Sequence, residues 1–479
     1  MSNKKQPVRV VQWTSGKVAI QSAKAVLERD DMDLVGMFAF SQEKHGKDIG
    51  ELCNLGHDIG VKASSNIDEL LALKPDCVAY MPLHPNVDHM EKILRAGVNI
   101  ATTASFLTGR GYGEEARARL EAAAQAGGSS LFGSGINPGW IDAVVSTASS
   151  LSKEVNLVRV TESFNIGIWA ADDNQNELGW GRPANDPGHA ETIEKATLPF
   201  GDAVEAIAKM FKFKLDDIRC EVEFAHATED ADVPGRDVRK GSVAGILARW
   251  RGLADGLPVI ELNAQWTVVQ DIEPAWEIFD SYQIEVLGTP NIKMQANVLP
   301  EDMSLPLDEL VTTGHIITAA PVVNAIPSVV AARPGIVTYA DLTPVTSILR
   351  PKAMDVPPLP LQAAEEAEIE TVASGGPATL QSVAGKWKVV IKGPTGAQET
   401  QLDLRLENGA LTGEQSDASG TVAPVSDVVL EGNQLSWVNV VTKPLKMKVS
   451  FAGTVDGGQM VGKVKPGIMG KFPFTGSKL

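Results

Sequence analysis

The residues with the clearest capacity for chemistry begin at Trp13-Thr-Ser-Gly16-Lys-Val-Ala19, between an apolar run, Val8–Gln12, and a helical pattern over about Val18–Arg29. A strand, a glycine turn and a helix start in that order present backbone amides to an anion, as a dinucleotide pyrophosphate requires. Against Gly-x-x-Gly-x-x-Gly only the middle glycine remains; Ala19 is small enough for helix–strand packing, and Trp13 is a departure. Trp13, Thr14, Ser15, Gly16, Lys17 and Val18 are the candidate contacts, with an ordinary tight turn as the bland alternative.

The second strand ends in Phe40-Ser41-Gln42-Glu43-Lys44-His45, with no carboxylate at its tip to bind a ribose 2′-hydroxyl. Ser41 and Lys44 suit a 2′-phosphate, which favours NADP; Glu43 leaves NAD open, and a solvated loop is the alternative for Lys44 and His45. Tyr80, Met81, Pro82 and Thr103 end the next strands and are expected to border the cofactor.

Proton exchange beside a nicotinamide needs a titratable or hydroxyl group near the reacting atom. Glu162, His315, Ser105 and Asn137 are the candidates, each weighed against a strand-edge charge, a packed histidine or a turn residue. Trp140 and Trp169, with Trp180, Trp250, Trp266, Trp276 and Phe164, suggest a pocket for a bulky apolar substrate, or else core packing. No metal is expected: the seven histidines form no ligand-spaced cluster and there is no Cys-x-x-Cys. A Gly-x-Ser-x-Gly nucleophile elbow is also lacking.

The elements that must position these groups follow from periodicity. Strands at Val8–Gln12, Leu34–Phe40, Asp76–Met81, Val98–Thr102 and Ser130–Gly133 alternate with helices at Val18–Arg29, Asp68–Leu73, Val87–Ala96 and Glu114–Ala126, which implies a doubly wound parallel sheet. From Ile141 the rhythm changes: a helix to Leu151, then strands Asn156–Phe164, Asp217–Ala227, Ser242–Arg251, Val259–Val269 and Tyr282–Leu287, with a helix at Asp202–Phe211. That suits a mixed or antiparallel sheet with one covered face. Leu310–Ala332 reads as a helix broken near Pro321 and Pro327 that returns to the first domain.

Residues 350–380, rich in proline and then acidic at Glu365–Glu370, read as a linker. Beyond it come short alternating segments at Gly385–Lys392, Gln401–Glu407, Gly420–Val425, Asp427–Leu430, Gln434–Val441, Lys446–Ala452, Met460–Val464 and Phe472–Phe474. With hairpin signals at Asn408-Gly409 and Asp456-Gly457-Gly458, they predict a small antiparallel barrel, weakly lipocalin- or avidin-like from its Gly385-Lys-Trp387 opening. The fold class is therefore α/β: a Rossmann-type domain over 1–140, a mixed α+β substrate and dimerisation domain over 141–310, a returning helix over 311–349, the linker, and the barrel over 381–479.

The length of 479 residues exceeds one ordinary core, and 43% apolar with 22% charged residues is globular usage. The formal charge of −17 argues against nucleic acid or an anionic membrane as the main partner. It is uneven: residues 381–479 hold 11 basic and 8 acidic side chains, leaving −20 on residues 1–380. Three scattered cysteines and the absence of an apolar signal core lead to an expectation of a cytoplasmic protein.

Three motif runs carry a resemblance. They are Val35-Gly36 with Lys44-x-Gly46-x-Asp48-x-Gly50-Glu51-Leu52, then Gly133-x-Gly135-Ile-Asn137-Pro138-Gly139, then Pro321-x-x-Asn324-Ala-Ile-Pro327 with Pro334-Gly335-Ile336. Over about residues 7–345 the chain resembles the actinobacterial-type dihydrodipicolinate reductase-like oxidoreductases, which include 2,4-diaminopentanoate dehydrogenase and the native amine dehydrogenases. The resemblance implies a nicotinamide-dependent hydride transfer to C=O or C=N, Asn324 near the substrate pocket, and a homodimer or tetramer. Two departures narrow it. Thr161–Gly167 lacks the basic cluster of the lysine-biosynthetic reductase, and the glutamate position of the amine dehydrogenases falls on Ser105 or Phe106. The favoured reading is an NADP(H)-preferring oxidoreductase acting on the carbonyl or alcohol of a hydrophobic small molecule. An amine dehydrogenase or imine reductase is the nearest alternative, and a nucleotide-sensing or ligand-binding protein the next.

Overall fold

The computed structural model describes residues 6–300, 305–348, 378–393, 396–417, 420–441, 447–466 and 472–479. The first sheet forms from β1 (Val8–Trp13), β2 (Met32–Phe38), β3 (Ala63–Ser64), β4 (Cys77–Tyr80), β5 (Asn99–Thr102) and β6 (Ser130–Gly133). Helices α1 (Lys17–Leu27), α2 (Ile49–Leu52), α3 (Ile67–Ala72), α4 (Val87–Arg95) and α5 (Glu114–Gly127) lie between them. Val10, Ala19, Ala23 and Val26 share one buried cluster; Val11, Val78, Met90, Ile93 and Leu120 share another. A sheet covered on two faces explains why its strands read as continuous apolar runs.

The second sheet follows α6 (Ile141–Ser149). It contains β7 (Glu154–Asn165), then, after α7 (His189–Ala196) and α8 (Leu198–Met210), β8 (Asp217–Ala227). A small hairpin, β9 (Ala231–Val233) and β10 (Arg236–Val238), leads to β11 (Val243–Ala254), β12 (Leu257–Thr267), β13 (Ile272–Glu273), β14 (Ser281–Thr289) and β15 (Ile292–Ala296). The order is β13-β8-β11-β12-β7-β14-β15, with β12 and β7 parallel and the other pairs antiparallel.

Helix α9 (Leu307–Val330) then returns to the first sheet, and β16 (Gly335–Val337) joins it beside β6, completing the parallel order β16-β6-β5-β4-β1-β2-β3. The expected break in α9 is corrected: the helix runs through both Pro321 and Pro327. An interior proline costs about 3 kcal/mol, but Val322, Val323, Ala325 and Ile326 around them are at most 1% exposed, and their burial outweighs the lost backbone bonds. Glu309–Val330 is also long and apolar enough to cross a membrane; here Ala319, Val322, Val323 and Ile326 pack in the cluster that holds Val10 and Ala23.

The barrel closes from β17 (Gly385–Gly393), β18 (Gly396–Glu407), β19 (Ala410–Asp417), β20 (Val422–Glu431), β21 (Gln434–Val441), β22 (Met447–Asp456), β23 (Gln459–Pro466) and β24 (Phe472–Lys478), after the short α10 (Leu380–Val383). The expected segments Gly420–Val425 and Asp427–Leu430 are corrected to one strand, β20, with an irregularity between Ser426 and Val429, and β19 is the strand that the sequence pattern does not predict. Asn408 and Gly409 both have positive φ, the conformation that a tight hairpin requires. The linker expected over 350–380 lies outside the described residues except for its last three. The chain divides into two compact units, one holding both sheets with α9 and the other holding the barrel.

Candidate active site

Trp13 ends β1 with its indole turned down into the core, stacked on Phe38 at 4.1 Å and 10° and tilted against Tyr80. The loop above is therefore clear of it. Thr14 takes the left-handed turn (φ 74°), donating its N–H to Phe38 O and its hydroxyl to Met81 O at 3.2 Å. Gly16 starts α1 with no side-chain cap and no acid in the first turn, and a Cβ placed on it would meet nothing within 4 Å. Open amides at an acid-free helix start fit a pyrophosphate.

Lys44 Nζ donates to Ser15 Oγ at 2.8 Å, joining the turn after β2 to this loop. Ser41 caps that turn by accepting from Glu43 N–H. Phe40, just past β2, is 58% exposed, and His89 stacks on it. Leu83, just past β4, is 55% exposed. The motif around Asp48 is architectural: its carboxylate accepts from Gly50, Ile59 and Gly60 N–H, which lowers its pKa.

At the ends of β4 and β5, Tyr80 is buried and accepts from Asn86 N–H, so its ring supports the loop from below. Met81 and Pro82 are buried beside it, and Thr103 N–H donates to Tyr80 O. Ser105 is exposed with φ 50°, whereas Phe106 is buried against Tyr112. The crossing between sheets is tightly built: a Cβ on Gly133 would lie 1.5 Å from Phe106 O, and one on Gly139 2.3 Å from Gly135 N.

That crossing delivers Asn137 to the second sheet, 3.5 Å from Tyr282 Oη. Glu162 of β7 lies directly across from Tyr282 of β14. Its Oε1 accepts from Trp266 Nε1 at 2.9 Å, while Oε2 has no partner among the described residues, and the residue is only 2% exposed. Burial raises this carboxyl to about 8, so it holds its proton at neutral pH. Tyr282 is raised well above its usual value, by burial and then by the Glu162 charge. Trp140 and Phe164 meet the Tyr282 ring edge-on at 5.0 and 5.1 Å. Glu162, Asn137, Trp140 and Phe164 are thus brought together. Tyr282 and Trp266 join them, and Tyr282 was missed because nothing in its strand marks it as other than core.

Elsewhere, Lys17 Nζ lies 2.5 Å from Asp172 Oδ1, and His315 Nε2 lies 3.3 Å from Asp172 Oδ2. These hydrogen bonds, led by that of His315, lower the Asp172 pKa. Trp169 donates to Val311 O of α9 and packs over Gly314, where a Cβ would lie 2.8 Å from its Nε1. Asn324 is not with this group: its Oδ1 accepts from Arg29, just past α1. Trp180 and Trp250 are core. No group of histidines, cysteines and carboxylates suited to a metal occurs among the described residues. A separate groove of about 440 Å³ includes Arg117, Lys209 and Arg333, each paired with a carboxylate.

Residues 186–356 match the family profile described as the 2,4-diaminopentanoate dehydrogenase C-terminal domain. An amine dehydrogenase of Streptomyces virginiae is 25% identical over 311 residues, 61% of this chain and 86% of its own length. The structure of the amine dehydrogenase from Mycobacterium smegmatis is 21% identical, with a TM-score of 0.58 across 71% of this chain and 97% of that one, which shows a shared fold. The resemblance carried by the motifs therefore holds: residues 186–356 carry a domain like that of 2,4-diaminopentanoate dehydrogenase, and a closed eight-stranded barrel ends the chain.

Proposed function

We propose that the protein is an NADP(H)-preferring oxidoreductase that moves a hydride between the nicotinamide and the C=O or C–OH carbon of a hydrophobic small molecule. The observation that carries the reading is Glu162: a buried carboxyl, protonated at neutral pH, with one oxygen unpartnered among the described residues, directly across from Tyr282, whose ring Trp140 and Phe164 meet edge-on. When bound, the cofactor supplies the hydride. Glu162 supplies the proton to the substrate oxygen, Asn137 orients the substrate at the crossing, and the aromatic rings exclude water. The open start of α1, the Lys44–Ser15 pair and the exposed Phe40 beyond β2 support cofactor binding in the first domain. A pair of hydroxyl and ammonium groups where NAD enzymes place a carboxylate supports the 2′-phosphate.

The test is reduction of a panel of hydrophobic ketones and aldehydes by the full-length protein with NADPH, with and without ammonium. The expected result is turnover without ammonium, lowered about 10²–10⁴-fold in Glu162→Gln with NADPH affinity retained. Turnover strictly dependent on ammonium would instead favour C=N chemistry, the reading to which the similarity with the two amine dehydrogenases lends weight.

A further inference from the structure

Asp172 is absorbed neither by the proton chemistry nor by the nucleotide loop, yet it touches elements of both halves of the first unit. It lies in the segment between β7 and α7, a strap of 3-10 turns at Gly167–Trp169 and Asp173–Leu178. One end of the strap is fixed: Gly167 sits where a Cβ would lie 2.6 Å from Val268 O, and Arg236 donates to Ala170 O at 2.9 Å and Asn176 Oδ1 at 2.6 Å. Trp169 anchors it on α9 through Val311 O and Gly314. From that platform the Asp172 carboxylate reaches Lys17 at 2.5 Å, the first residue of α1, and His315 at 3.3 Å, one turn along α9 from Val311.

We propose that Asp172 is a positioning residue of the cofactor site: it holds Lys17 and His315 together and keeps the strap across the approach to the α1 N-terminus. The inference rests on the cofactor reading above. A dinucleotide that places its pyrophosphate on the amides after Gly16 must pass beside Lys17, whose side chain is 66% exposed and free to share its ammonium with phosphate. Asp172 is 16% exposed at its side chain and keeps its second partner, His315, as that sharing occurs. Because the Asp172–Lys17 contact sits at the start of α1, where the pyrophosphate would dock, it has to open for entry and again for release, and it slows both rates while leaving the equilibrium nearly unchanged.

The kinetic signature separates this role from a plain phosphate contact, which alters dissociation and affinity together. Stopped-flow mixing of the full chain with NADPH, followed by nicotinamide fluorescence, is the measurement. In Asp172→Asn both the association and dissociation rates rise about tenfold, with Kd changed less than about threefold, and Asp172→Glu returns both rates towards the parent values. An unchanged association rate overturns the proposal. Hydrogen exchange of the free protein provides a check independent of the cofactor. Asp172→Asn speeds exchange over residues 167–181 without speeding it in β1, and equal protection overturns the clasp. NADPH failing to bind the parent protein, with the exchange result intact, would defeat the cofactor reading and leave the clasp standing.

Discussion

Trp13 occupies the position where the glycine pattern asks for a residue without a side chain, and the structure resolves the conflict by geometry. The indole belongs to the core with Phe38 and Tyr80, and the left-handed turn moves one residue on, to Thr14. A threonine in that conformation costs about 1–2 kcal/mol; its hydroxyl bond to Met81 O offsets part of that. On the proposed NADP(H) reading Lys44 holds the 2′-phosphate, and Lys44→Ala is expected to weaken NADPH about tenfold while leaving NADH within about twofold, read by fluorescence titration. Two buried carboxyls set a pH dependence of stability. Burial raises Asp142 to about 7 and Glu162 to about 8. Both keep protons in the folded state that the unfolded chain releases near pH 4. The stability they support is complete below that pH and is lost as pH rises through about 7 and 8. The melting temperature should therefore fall between about pH 5 and 8.5, and less steeply in Glu162→Gln.

At the scale of elements, α9 and the crossing after β6 hold the site in place. Ile326 is fully buried in the cluster that joins α9 to α1, and Ile326→Ala should cost about 2–5 kcal/mol in denaturant unfolding. Gly133→Ala should be worse tolerated, because its methyl would meet the Phe106 carbonyl at 1.5 Å and the β6 backbone would have to shift. The parallel sheet is legible because its strands are buried on both faces, which makes them apolar runs, and alternate with helical patterns. What resisted reading was set by tertiary contacts. Strand β19 hides in Ala-Leu-Thr-Gly-Glu-Gln-Ser-Asp because its inward positions include Gln415, 5% exposed and bonded to Trp437 and Asn439 inside the barrel. The helix through Pro321 and Pro327 defied local propensity because burial decides there. Glu162 and Asn137 were legible as reactive types. Tyr282 and Asp172 were not, since each acquires its role only from the strand or helix opposite.

At the scale of the molecule, two units with separate cores share one chain. The barrel closes on itself through β17 and β24 and encloses Trp387, Trp437, Phe451 and Phe474. A unit with a closed sheet and its own buried core should unfold cooperatively by itself. Calorimetry should therefore resolve two transitions, only one of which shifts in Trp437→Ala; a single transition moved as a whole would contradict that division. Charge divides the chain as well, −20 on residues 1–380 against +3 on the remainder from 381. The proposed chemistry lies wholly in the first unit, which holds the nucleotide loop, Glu162 and α9. The most direct measurement of the central claim is titration of the full-length protein with NADPH and with NADH, following nicotinamide fluorescence. NADPH binding that is the tighter of the two and is weakened by Lys44→Ala is the predicted result; binding of neither nucleotide would contradict the account.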